Sequence, residues 1–284
     1  MWDILGASQF VKRLTPPLLL DLVRGRPLFQ APASTWQGVY ARLRDVPVDK
    51  CNYDTTAQVE KHLGWTRSAL ALVQRGGKPH LWHEAMALVG AIGSTDSGML
   101  RVVDFGGGAG SGYVQLLATL PMSSMIEYHV VDLARMCAAG RELFAKDPHI
   151  SFHTELPMLD GKTVDIVYLN SVLQYIDDWV GLLRRLASLN ARFILLARLA
   201  AGAVPTYASK QINLDRQVMP YWFLNVDEVV AQLALANYRL AYDGLDGQEY
   251  DQSNFPQSHR IGRMRNMLFV RNAGTVAAND RIEF

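Results

Sequence analysis

Arg101-Val102-Val103-Asp104-Phe105-Gly106-Gly107-Gly108-Ala109-Gly110-Ser111-Gly112-Tyr113 passes from a β-branched run through a glycine cluster into residues that open a helix. A strand, a tight turn and a helix in that order form the first unit of a doubly wound α/β sheet. Glycines at the turn let the chain reverse sharply and let a ligand lie against main-chain atoms. The helix start then offers unpaired N–H groups and a partial positive charge. The spacing narrows the choice of ligand. Gly106-x-Gly108-x-Gly110 is not the G-x-G-x-x-G of dinucleotide-binding loops, because that pattern begun at Gly106, Gly107 or Gly108 meets Ser111, Ala109 or Tyr113.

Outward from this loop, short apolar runs alternate with helical stretches. Leu100–Phe105, Glu127–Val131, Ile150–His153, Val164–Leu169 and Phe193–Ala197 predict strands. Tyr113–Leu120, Ala134–Lys146 and Trp179–Leu189 predict the helices among them. A further helix starts at Asn225, with Glu228 placed as its capping-box partner, and two last strands follow at Tyr238–Tyr242 and Asn266–Arg271. The predicted fold is α/β: a Rossmann-like, doubly wound, mostly parallel seven-stranded sheet over residues 95–284. A mainly helical N-terminal extension over residues 1–94 precedes it.

Asp104 ends the first strand at the mouth of the loop. A carboxylate there repels a pyrophosphate but attracts a ligand carrying an ammonium and a sulfonium. S-adenosylmethionine carries both. Asp132 ends the second strand, about twenty residues past the glycines, where an acid accepts hydrogen bonds from ribose hydroxyls. Its alternative role is to cap the helix that begins near Ala134.

Composition bounds the partners. Apolar residues make up 49% of the 284 and charged residues 19%, enough for a large core. With 28 basic and 27 acidic side chains the formal charge is +1, which lacks the basic footprint of a nucleic-acid binder. Cys51 and Cys137 form neither a CxxC nor a metal-ligand pattern, so no metal is expected. No signal-peptide pattern and no span-length apolar window is present, which makes a cytoplasmic protein the expectation. Ile4–Val23 mixes leucines with Lys12 and Arg13 and could touch an anionic membrane surface, although packing on the catalytic domain or in a homodimer fits better.

Over about residues 99–271 the chain resembles the class I S-adenosylmethionine-dependent methyltransferases, chiefly through Val103-Asp104-Phe105-Gly106-Gly107-Gly108-Ala109-Gly110. The resemblance implies that Asp104, Gly106, Gly107, Gly108, Gly110 and Asp132 hold the cofactor. It adds Leu133 and Glu155 (in the stretch His153–Leu156) on the adenosine side. Asn170 and Ser171 would face the methyl group, and the last two strands would form an antiparallel hairpin. More narrowly, Leu14-Thr15-Pro16-Pro17, Trp36-Gln37-Gly38-Val39-Tyr40, Ser171–Ile176 and Leu195-Leu196-Ala197-Arg198 resemble a bacterial methyltransferase family associated with surface-polysaccharide biosynthesis. That implies O-methylation of a sugar, within a broader expectation of a small-molecule or glycan acceptor.

Candidates for the chemistry follow the fourth and fifth strands. Tyr175 could line the transfer pocket, Asp177 could accept a proton, and Arg198 could orient an anionic or sugar substrate. Asp177 and Asp178 equally fit a helix start, which is the favoured reading. His80 and His83 share a helical spacing but fit ordinary packing or surface roles better than a metal site. The aromatics Trp36, Tyr40, Tyr53, Trp65, Tyr207, Tyr221, Trp222 and Phe223 could flank a ring-bearing acceptor, or simply form core. Two rival readings stand: an NAD(P)-dependent oxidoreductase and a non-catalytic scaffold in glycan assembly.

Overall fold

The computed structural model describes residues 35–48, 54–79, 84–93, 98–120, 125–159, 161–212 and 218–272. Ile4–Val23, Leu14–Pro17, Cys51, Tyr53, His80 and His83 lie outside the described residues. The described residues from Trp36 onward form one compact unit.

The central sheet is built from β2 (Leu100–Phe105), β3 (Ile126–Val131), β4 (Ile150–His153), β5 (Ile166–Asn170), β6 (Phe193–Leu199), β10 (Tyr238–Glu249) and β11 (Arg263–Arg271). Its seven strands run in the order β10-β11-β6-β5-β2-β3-β4. The five inner and N-terminal strands are mutually parallel, while β11 runs antiparallel to β6 and β10 antiparallel to β11. This is the Rossmann-like, doubly wound sheet with a C-terminal hairpin. The chain enters at β2, winds outward to β4, then returns to β5 on the other side of β2. Connections therefore diverge between β2 and β5, and a crevice opens there at the strand carboxyl ends.

Both faces are covered, which is why the strands read as continuous apolar runs. Val102, Tyr128, Val130, Ile166 and Tyr168 face α1 (Thr56–Gln74), α2 (Glu84–Gly93), α3 (Ser111–Thr119) and α4 (Ala134–Leu143). Val103, Val131, Val167 and Leu169, one residue on along each strand, face α5 (Trp179–Ala187) and α6 (Val226–Leu235). On α5, Leu182, Leu183 and Leu186 are at most 1% exposed, so truncating any of them to alanine costs about 2–5 kcal/mol. Asn225 caps α6 as expected, accepting from the N–H groups of Asp227 and Glu228. The capping box does not close. The Glu228 carboxylate turns away to accept from Thr206 Oγ1 at 2.6 Å.

A second sheet was not anticipated. It comprises β1 (Trp36–Tyr40), β7 (Ala201–Gly202), β8 (Tyr207–Ile212) and β9 (Val218–Asn225), in the order β1-β8-β9-β7. The N-terminal region therefore contributes a strand as well as helices. Its inner face gathers Trp36, Tyr207, Tyr221 and Phe223 around Phe255, with Trp36 and Tyr221 ring centroids 4.6 Å apart. Of the aromatics considered as pocket walls, these four are core, at most 3% exposed. Trp222 anchors the sheet by donating its indole N–H to the Ile176 carbonyl at 3.1 Å. No helix among the described residues is long and apolar enough to cross a membrane.

Candidate active site

The crevice between β2 and β5 is a cavity of about 1060 Å³. The carboxyl ends of β2, β3, β5 and β6 contribute to it, together with α1. Gly106, Gly107 and Gly108 line its floor, and Gly106, Gly108 and Gly110 adopt left-handed φ of 72°, 60° and 90°. A methyl group on Gly106 would overlap the Val172 side chain across the crevice. Gly110 sits behind the lining and turns the chain into α3.

Asp104 is 1% exposed beneath this floor. Its Oδ2 accepts from the Tyr128 hydroxyl at 2.7 Å, and its Oδ1 is buried without a hydrogen-bond partner among the described residues. Burial pushes its carboxyl up to about 7, with the Tyr128 bond opposing and the Asp132 charge adding. A buried carboxyl with one oxygen orphaned is costly unless a donor or cation completes it.

Asp132 ties the loop to β3. Its Oδ2 accepts from Gly108 N at 2.8 Å and its Oδ1 from Leu133 N at 2.7 Å. The helix-cap alternative does not hold, since Leu133 is the N-cap of α4 and no side chain caps it. Leu133, Met136 and Thr154 line the cavity beside Asp132. Glu155 does not: it is exposed and outside the lining, and its neighbour Thr154 takes the expected position.

Asn170, Ser171, Tyr175 and Arg198 all line the cavity. The Tyr175 hydroxyl donates to Gln211 Oε1 at 3.0 Å, which fixes the ring between cavity and aromatic core. Asp177 is exposed and outside the lining, and so is not brought to the other candidates. Asp178 caps α5, its Oδ1 accepting from Gly181 N at 2.8 Å. Asp178 therefore serves the helix start, as its position favours.

The remaining wall is α1, of which Trp65 was among the aromatics expected beside an acceptor, while Gln58 and His62 were not singled out. Thr55 caps it, accepting from Gln58 N, and Val59, Leu63, Thr66 and Ala69 form its buried stripe. Gln58, His62 and Trp65, at i, i+4 and i+7, lie on one face and line the cavity. That spacing was the available signal. His62 stands beside Gly108 and Asp132; burial lowers its imidazole, and the Asp132 charge opposes this.

No protein-family model matches the sequence, and no well-characterised protein matches it. Among solved structures, magnesium protoporphyrin IX methyltransferase from Synechocystis PCC 6803 with bound SAH is similar at 16% identity and TM-score 0.46, over 78% of this chain and 90% of that one. The 1,6-didemethyltoxoflavin-N1-methyltransferase of Burkholderia thailandensis, with bound 1,6-didemethyltoxoflavin and S-adenosylhomocysteine, is similar at 16% identity and TM-score 0.46, over 80% of this chain and 94% of that one. Mitomycin 7-O-methyltransferase is similar at 17% identity and TM-score 0.40, and the chain spans only 54% of its length.

Proposed function

We propose that this chain is an S-adenosylmethionine-dependent methyltransferase acting on a small-molecule acceptor. The orphaned, buried Asp104 carboxyl beneath the glycine loop carries the reading. It suits a cationic ligand laid on that loop and opposes a pyrophosphate. When bound, S-adenosylmethionine supplies an electrophilic methyl group on sulfur. Asp104 would hold its positive end and Asp132 its ribose hydroxyls. Leu133, Met136 and Thr154 would flank the adenine, and Asn170 and Ser171 would face the methyl group. The cavity volume lies just above the ~300–1,000 Å³ range of a single drug-sized ligand, which leaves room for an acceptor beside a cofactor. Tyr175 and Arg198 would position that acceptor. The finer reading, O-methylation of a surface-polysaccharide sugar, rests on the short sequence stretches alone.

The Asp104 carboxyl gives a pH test. Near pH 8 it is ionised in the empty protein; below about 7 it holds a proton that a ligand ammonium must displace. S-adenosylhomocysteine affinity, followed by calorimetry from pH 5.5 to 8.5, is expected to be flat above 7 and to weaken roughly tenfold per pH unit below it. A flat profile throughout would remove Asp104 from the ligand.

A further inference from the structure

Arg198 occupies a position whose backbone suits glycine. Along the β6–β11 ladder, Leu196 pairs with Met267 and Leu199 with Arg265, so Ala197 and Arg198 together stand opposite the single residue Asn266. This is a β-bulge, a feature that re-aims a side chain and often borders an active site. Within it Arg198 takes a left-handed φ of 49°. Residues other than glycine hold that conformation only where the surroundings over-determine it.

The surroundings do so from two sides. Arg198 N donates to Asn266 Oδ1 at 2.9 Å. Gln174, fully buried, donates its amide to the Arg198 carbonyl at 3.3 Å and to Ser171 Oγ at 3.0 Å. Ser171, at the neighbouring end of β5, is itself left-handed at φ 57° and donates its N–H to the Ala197 carbonyl. Two strained strand ends are thus locked together, and both residues line the cavity.

We infer that this lock presents Arg198 to a carboxylate on the acceptor, with Asn266 and Gln174 as positioning residues. The inference rests on the methyltransferase reading and names its substrate class. A guanidinium fork matches a carboxylate with two parallel hydrogen bonds, and charge-assisted bonds are about twice as strong as the neutral ones a sugar hydroxyl offers. Charge placement agrees. Asp54, Asp104 and Asp132 line the cavity toward α1 and the glycine loop, with His62 beside Asp132 and Lys61 over the Trp65 ring. Arg198 stands at the end of β6, in a lining that includes the uncharged Tyr175, Ile176 and Met219, while outside the lining its charge and that of Asp246 both act on the buried Tyr250 hydroxyl. A cationic cofactor and an anionic acceptor would each meet the opposite charge.

The test is ligand-observed NMR titration of the protein loaded with S-adenosylhomocysteine, using acids paired with neutral counterparts. The pairs are 3-hydroxybenzoate against 3-hydroxybenzamide, and glucuronate against glucose, so the arms separate an aromatic acid from an acidic sugar. One acid is expected to bind at least tenfold tighter than its partner. Arg198→Met and Arg198→Gly should abolish that preference while S-adenosylhomocysteine affinity stays within about twofold. Arg198→Gly should also melt no lower than the parent, because glycine relieves the left-handed backbone. Asn266→Ala should weaken the preference and Asn266→Asp, which still accepts the Arg198 N–H, should restore it. Equal binding of acid and neutral partner in both pairs, or a preference that survives Arg198→Met, would overturn the inference. Failure of S-adenosylhomocysteine to bind would instead strike the methyltransferase reading, and the same pairs titrated on the unloaded protein would still decide the acid preference.

Discussion

Replacing Asp104 by asparagine is expected to stabilise the empty protein while abolishing its affinity for S-adenosylhomocysteine. The two effects share one cause. Burial lifts the Asp104 carboxyl to about 7, well above the ordinary 3.8 that it regains on unfolding. Its contribution to stability is therefore complete only below about pH 4 and is lost as pH rises through 7. At pH 8 the folded chain carries a buried charge costing roughly 2–4 kcal/mol. Asparagine keeps the shape and can accept from the Tyr128 hydroxyl, yet never ionises. Thermal melts should show parent and Asp104→Asn alike below about pH 4, diverging progressively between about pH 4 and 7 and separated by a constant gap above 7, with the variant the more stable. Calorimetry on the same samples should show affinity down at least a hundredfold. Coincident melting curves at pH 8 would mean that the carboxyl is not the strained group described.

Gly106→Ala is expected to have the second largest effect. At φ 72° an alanine pays about 1–2 kcal/mol for the left-handed backbone. Its methyl group also overlaps Val172, adding about 1–3 kcal/mol of overpacking. A fall of roughly 3 kcal/mol by urea unfolding follows, together with lost ligand affinity as the crevice closes. Two variants separate the causes. Gly106→Ala with Val172→Ala removes the overlap and should recover part of the loss. Gly161→Ala, at φ 78° with open space around it, should pay the backbone cost alone. If Gly106→Ala and Gly161→Ala cost the same, Val172 does not press on the loop.

The parallel sheet was legible because each strand, buried on both faces, writes itself as an apolar run between turn residues. Leu100–Phe105 and Ile150–His153 match to the residue. The glycines and Asp104 were equally readable, since backbone geometry and charge act within a few residues. The second sheet was not. β9 contains Pro220, which reads against a strand, and β8 carries the polar Ser209-Lys210-Gln211, whose partners on β1 lie far off in sequence, as in the Gln37–Lys210 pair. Trp36 and Tyr221 became core through packing between elements 185 positions apart, which no local pattern announces. Glu155 and Thr154 show the same limit at finer grain: a one-residue step at a strand end moves a side chain off the cavity.

The most direct measurement is calorimetric titration of the full chain with S-adenosylmethionine, S-adenosylhomocysteine and NAD(H), repeated on Asp132→Ala. Micromolar binding of both adenosyl ligands is expected, weakened by at least tenfold in the variant and absent for NAD(H). Binding of NAD(H) with neither adenosyl ligand would contradict the cofactor site and point to a dehydrogenase. Binding of none of the three would leave a fold without its cofactor.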